Sequence, residues 1–258
     1  MKVVVILGRV LDPGGIVVHR RLGRIFINRE EYLINPADRC ALEAALRIKD
    51  AAGAEVVVVS GRPEPDDDTL RQGLAAGADR AIYLTSGGFA QADDAVVVRA
   101  LAAAVERLGG ADLVLTGATT LDTGQSQLGP RLAEALGWPQ IVGAWRAEVA
   151  DGRVQAVLQE GAGYVTVEAD LPAVVTVLPG ALKPRYPDGV RLINVYRAED
   201  AVEKWDVSDL VDEAALQPLL EKRGQDFPPE RERGVRLEGL PAEMAQALAD
   251  ALRQRVCR

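Results

Sequence analysis

Short apolar runs alternate with helical patterns through the first half of the chain. Lys2 to Leu7 reads as a buried strand, and Pro36 to Ala52 as a helix, because Ala41, Leu42, Ala45, Leu46 and Ile48 recur at the spacing of one helix face. Asn35 is placed to cap that helix and Pro36 to open it. The alternation continues with strands at Glu55 to Val59, Arg80 to Leu84 and from Leu113, and with helices over Asp67 to Ala76 and Asp93 to Leu108. Strand and helix in regular succession predict an α/β fold: a mostly parallel sheet with helices on both faces. Between Leu11 and Tyr32, apolar and polar residues alternate around Gly23, which predicts a small inserted hairpin.

After Pro139 the period shortens to two. Ala144 to Val149, Val154 to Leu158, Tyr164 to Glu168 and Ala173 to Val177 read as strands with turns at Asp151-Gly152 and Gly161 to Gly163, an additional antiparallel or mixed layer on the same core. From Pro179 onward Pro, Gly and charge dominate, as in KPRYPDG at Lys183 to Gly189, and a long arm is expected. It contains a short helix around Ser208 to Leu220, a PPERERG linker at Pro228 to Gly234 and a final amphipathic helix at Pro241 to Arg255. The expected division is an α/β domain over 1–182 and an extended arm with its terminal helix over 183–258.

Length and charge narrow the class. A chain of 258 residues holds one large α/β domain plus appendages and buries about 70 to 75% of its unfolded surface. With 30 Lys and Arg against 38 Asp and Glu, the net charge of -8 argues against nucleic acid, which needs clustered cations. No run reaches the roughly eighteen apolar residues of a membrane span, and MKVVVILG is too short for a signal peptide, so a cytoplasmic protein is expected. Cys40 and Cys257 lie far apart and form no CxxC pair, which points away from a structural disulfide or zinc.

Several chemistries drop out. The one histidine, His19, falls in the expected hairpin as a solvent-facing residue, so neither a Ser-His-Asp nor a Cys-His arrangement is supported and no catalytic residue is expected. The first strand runs into Gly8-Arg9-Val10-Leu11-Asp12-Pro13 rather than GxGxxG, and no GxxxxGK[ST] loop occurs. Asp66-Asp67-Asp68 precedes a helix and reads as cap and dipole complement rather than as a metal site. Binding remains. From Leu113 to Gln140 a strand (Leu113, Val114, Leu115) leads through Thr119, Thr120, Asp122, Thr123, Gln125, Ser126 and Gln127 to a helix with Leu128, Leu132, Ala135 and Leu136 on one face. Polar turns between strand and helix hold phosphates in open α/β sheets, and Gly124 and Gly129 allow close backbone approach, although an ordinary connecting loop has the same composition.

The motifs, taken in order, resemble the β subunit of electron transfer flavoproteins over nearly the whole chain. They are the first strand with Arg9-Val10 and Asp12-Pro13, INPADRCALEAALRIKD from Ile34, VVVVSGRP from Val56, LRQGLAAGADRAIYL from Leu70, TGATTLDTGQSQLGPRLAEALGWPQ ending at Gln140, LPAVVTV from Leu171 and PRY at Pro184 to Tyr186. The resemblance implies an adenine-nucleotide-binding three-layer fold, a partner α subunit that holds a redox-active FAD, and electron transfer from a donor dehydrogenase or NADH to quinone reductase or ferredoxin-type acceptors. That is the work of an electron carrier rather than a hydrolase or transferase. It further implies a second nucleotide in this chain's own cleft, FAD in electron-bifurcating members and AMP in others. Asn35-Pro36 with Asp38 and ALEAAL, FAQADD at Phe89 to Asp94, Gln127 to Pro130, VYRAEDAVEKWDVSDL from Val195 and PPERERGVRLEG from Pro228 are closer to the bifurcating type and favour FAD, with AMP as the alternative. Against FAD, the bifurcating pattern has Asp-Thr where this chain has Gly124-Gln125, and Thr where it has Asp94, whose carboxylate would repel a pyrophosphate.

By the same resemblance Ile6 and Gly8 line the cleft, Asn35 and Asp38 stand near the nucleotide, and Ser60 with Gly61 form the turn after the second strand. Gly117 opens the family loop, and Asp122, Thr123, Gly124, Gln125, Ser126, Gln127 and Leu128 wrap phosphate and sugar oxygens. Gly8 replaces a Lys or similar polar residue, which removes one phosphate contact. Arg185 and Tyr186 would anchor the arm that contacts the α subunit, a packed turn tyrosine being the ordinary alternative. Two other readings are a stand-alone adenine-nucleotide sensor with no second chain, and a structural subunit whose cleft is empty.

Overall fold

Alternating burial puts β1 (Lys2–Ile6) at the centre of the molecule: Val3 and Val5 face one helical layer, Val4 and Ile6 the other, as a pleated strand requires. The computed structural model describes residues 1–61, 67–85, 92–221, 223 and 234–256. After β1 come β2 (Arg9–Leu11), β3 (Ile16–His19), β4 (Arg24–Ile27), β5 (Tyr32–Ile34), α1 (Pro36–Ala52), β6 (Glu55–Ser60), α2 (Asp67–Ala76), β7 (Arg80–Thr85), α3 (Asp94–Arg107), β8 (Leu113–Gly117) and α4 (Leu128–Leu136). The chain continues through β9 (Gln140–Ala150), β10 (Arg153–Glu160), β11 (Gly163–Asp170), β12 (Ala173–Val177), α5 (Gly189–Arg197), β13 (Glu203–Asp206) and α6 (Pro241–Val256).

Nine strands of the described residues form one sheet in the order β11-β10-β9-β12-β8-β1-β6-β7-β13. From β9 through β12, β8, β1, β6 and β7 to β13 every pairing is parallel, while β9-β10-β11 extends one end of the same sheet as an antiparallel meander. Ala41, Leu42, Leu46, Leu70 and Leu74 of α1 and α2 cover one face, and Val96, Leu101, Val105 and Leu132 of α3 and α4 cover the other. The expected α/β architecture is what forms. The inserted hairpin also forms, β3 pairing with β4, and His19 is exposed at its end. The expected bifurcating-type motif FAQADD begins outside the described residues, as do Asp66, most of the PPERERG linker and Cys257. Cys40 is buried in α1.

The arm differs from expectation in one respect. No helix spans Ser208 to Leu220; the segment makes two separate 3-10 turns, Val207–Asp209 and Glu213–Leu216. Its ends are held by other contacts. Val207 is fully buried, the Asp206 carboxylate accepts from the Ser208 amide, and the Leu219 and Leu220 amides donate to Asp93. Pro218, lacking an N–H, further disfavours a continuous helix. Upstream, α5 packs on α2, and β13 joins β7 in parallel with Glu203 opposite Ile82, supported by the Arg80 guanidinium on the Glu203 carboxylate at 2.8 Å. The first compact unit therefore runs from Met1 to Glu221, and Lys222–Arg258 form a second, which contains α6. Among the described residues no helix is long and apolar enough to cross a membrane.

Arg185 anchors the arm on α1. Its backbone amide and Nε each donate to Glu43 Oε2 at 3.0 Å, and Nη2 donates to Asp50 at 2.8 Å. Tyr186, next along, is 85% exposed and packs no turn. Burial pushes the Glu43 carboxyl up, but hydrogen bonds from Arg185 and Arg47 outweigh it and hold the group below its ordinary 4.5. A carboxyl lowered in this way stabilises the fold above its unfolded pKa, and the contribution is lost as pH falls through the folded value. Arg185→Met is expected to cost about 2 kcal/mol at neutral pH, less than for a buried carboxylate left with no second cation. In urea titrations the gap between variant and wild type should close in acid; a gap independent of pH would rule out the ion pair as its cause.

Candidate functional site

β6 and β7 lie on one side of β1, while β8 and then β12 lie on the other. Where strand order reverses, the loops at the carboxyl ends part and leave a crevice. Here it holds a cavity of about 30 Å³. Its floor is Ile6, Leu7 and Gly8 after β1 with Thr116 and Gly117 of β8; Gly61 follows β6, and Val97 and Leu101 of α3 form an apolar wall. Thr120, Gln125, Ser126 and Leu128 close the side toward α4.

Asp38 holds the floor together. It stands in the first turn of α1, is 7% exposed, and accepts from the Gly8 amide through Oδ2 and from the Gly117 amide through Oδ1, both at 2.9 Å. One carboxylate thus clamps the ends of both central strands. The close fit explains the glycine at 117, where a Cβ would overlap Asp38 Oδ1 and lie 2.7 Å from Ala37 Cβ.

Asn35 was expected to cap α1 and makes no side-chain cap bond. Pro36 at the first helical position carries no N–H, and the Asn35 amide turns to the loop after β8: Nδ2 donates to the Thr119 carbonyl at 2.9 Å and Oδ1 accepts from the Leu121 amide at 3.1 Å. The loop is also closed internally. The Thr120 amide donates to the Gln125 carbonyl at 3.0 Å, and the Gly124 amide donates to the Thr120 carbonyl at 2.9 Å.

Eight of the fourteen residues expected in the site line the crevice: Ile6, Gly8, Asp38, Gly61, Gly117, Gln125, Ser126 and Leu128. Asn35 and Ser60 are buried behind it. Asp122, Thr123 and Gly124 form the exposed tip of the loop, and Gln127 precedes α4, also exposed. Gly129 serves the sheet rather than a ligand, since a Cβ there would overlap Thr176 Cγ2 and approach Thr116 Cγ2 to 3.1 Å. Sequence reasoning missed Leu7, Thr116, Val97 and Leu101. The last two, four residues apart on a helix, carry the same signal as any core face.

Helix starts around the crevice differ. At α3 the Asp93 carboxylate accepts from the Val96 amide at 3.0 Å and from Leu219 and Leu220 at 2.7 and 2.9 Å. Burial raises its pKa, yet these backbone bonds prevail and hold it below the ordinary carboxylate value. At α4, Gln127 makes no side-chain cap bond. An uncapped helix start beside Ser126 and Gln125 is a place for an anion, and Ile6, Leu7, Val97 and Leu101 make the adjoining lining apolar, Ile6, Leu7 and Leu101 being themselves buried. By residue type this lining suits an adenylate, which needs more room than the cavity now holds. With its amide oriented to donate, Gln125 Nε2 faces the Asp94 carboxylate, 3.2 Å from Oδ1 and closer to Oδ2.

The chain matches the Electron transfer flavoprotein domain family over residues 24–210. It is 33% identical to the electron transfer flavoprotein subunit beta of Clostridium acetobutylicum over 84% of this chain and 83% of that protein. Protein FixA of Bradyrhizobium diazoefficiens is 31% identical over 98% of this chain and 91% of its own length. The caffeyl-CoA reductase-Etf complex subunit CarD of Acetobacterium woodii is 30% identical over 81% and 80%. A parallel sheet with a crevice at its strand reversal, and this breadth of similarity, lead to one assignment: the chain belongs to the electron transfer flavoprotein family, as a β-type subunit.

Proposed function

We propose that this chain pairs with an electron transfer flavoprotein α subunit and holds an adenine nucleotide, FAD in our reading, in the crevice between β1 and β8. The carrying observation is the uncapped start of α4 beside Ser126 and Gln125 at the mouth of an apolar crevice. On this reading the polar loop and α4 orient the phosphate end, Ile6, Leu7, Val97 and Leu101 hold the ring and keep water from it, and Asp38 keeps the floor rigid. A bound flavin would supply one- and two-electron chemistry, the protein its position and surroundings. The pair would carry electrons from a donor dehydrogenase or NADH to quinone reductase or ferredoxin-type acceptors, with bifurcation if FAD is the ligand. Tyr186 on the arm and Val190 and Ile193 on α5, all more than half exposed, offer apolar surface to the second subunit. AMP is the second reading, since its single phosphate meets less repulsion from the Asp94 carboxylate than the pyrophosphate of FAD would.

Co-expression with the α subunit is expected to give a yellow heterodimer, and heating it to release FAD from both chains. One flavin with AMP per pair would establish the second reading. A well-folded chain that ignores the α subunit and releases no nucleotide would refute the proposal; ATP released from the lone chain would favour a sensor.

A further inference from the structure

Gln125 lines the crevice on the side toward α4, and Asp94, at the start of α3 beyond the crevice wall, stands within hydrogen-bond reach of it. Gln125 belongs to the loop after β8, whose base is pinned by Asn35 at Thr119 and Leu121 and closed by the Thr120 to Gln125 backbone bond. Asp94 is the first residue of α3, one turn before Val97 of the crevice wall. It is not needed as the cap of that helix, because Asp93 already accepts from the Val96 amide. Its carboxylate instead faces the Gln125 side chain. An anchored loop thus reaches a charged group at the start of α3.

We infer that the Gln125–Asp94 pair is a latch over the crevice, and that the Asp94 charge makes the site discriminate against ligand phosphate. The inference rests on the crevice being a nucleotide site. Two local charges act on an entering phosphate in opposite senses: the partial positive charge at the start of α4 attracts it, and Asp94 repels it. A neutral ligand of the same shape meets the latch and not the charge. Phosphate selectivity therefore belongs to Asp94, and ease of entry to Gln125.

The full chain, freed of nucleotide, is titrated with adenosine and with AMP, and circular dichroism melting checks that each variant is folded. Asp94→Asn keeps an acceptor for the Gln125 amide and removes the charge. It is expected to tighten AMP about tenfold, by more at low salt than at high, and to leave adenosine within about twofold. Gln125→Ala opens the latch and retains the charge, so adenosine and AMP should gain by the same factor. Equal gains for both ligands in Asp94→Asn, or no gain for AMP, would overturn the inference. If no variant binds either ligand, the nucleotide reading itself has failed, a result distinct from an altered selectivity.

Discussion

A Gly117→Ala variant is expected to lose about 3 kcal/mol of stability and, with it, any ligand of the crevice. The added methyl meets Asp38 Oδ1, the Ala37 Cβ at 2.7 Å and the Asp38 backbone nitrogen at 2.8 Å. Two of these belong to the backbone and Cβ of α1, which cannot turn aside as a long side chain would. Relief requires moving the helix off the sheet, and that breaks the 2.9 Å bond from the Gly117 amide to Asp38. Chemical denaturation measures the loss, and Gly189→Ala, where an added Cβ meets nothing within 4 Å, supplies the control with a change under about 0.5 kcal/mol. Equal stability for the two variants would mean that α1 and β8 are less tightly apposed than described.

Asp38→Ala should cost a similar amount, about 3 kcal/mol, by a different route. It leaves the Gly8 and Gly117 amides without their acceptor at a buried position, and an unmet buried donor costs about 1–3 kcal/mol. Asp38→Asn retains one acceptor oxygen and should lose roughly half as much. The two sites are coupled. Because the alanine at 38 removes the oxygen that Gly117→Ala strikes, the double variant is expected to be more stable than the sum of the single losses predicts. Strict additivity in the denaturation midpoints would show that the clamp is not the shared cause.

The central architecture was legible because its signals are local. α1 begins at Pro36 and ends at Ala52 as the pattern of Ala41, Leu42, Ala45 and Leu46 requires, and α2 matches the expected Asp67 to Ala76. Where pairing is long-range the sequence is mute. β13, with Glu203, Lys204 and Asp206 among its four residues, has little apolar pattern; its place follows from Arg80 and the edge of β7. α5 was hidden in a segment where Tyr186, Pro187, Asp188 and Gly189 read as turn, although Asp188 in fact caps it by accepting from the Arg191 amide. Polar composition marked the loop after β8, of which Thr120, Gln125 and Ser126 line the crevice. It did not tell tip from base. Asp122 and Thr123 bond within the tip, whereas Asn35, distant in sequence, determines how the base lies on α1.

The placement of β13 bears on how the protein is made. β7 leaves the ribosome early, but the strand that covers its outer edge comes from residues 203–206. During translation that edge carries unmet amides and carbonyls, open to any passing extended polypeptide. Products truncated before Glu203 retain the bare edge, so they are expected to aggregate and to need chaperones more than the finished chain does.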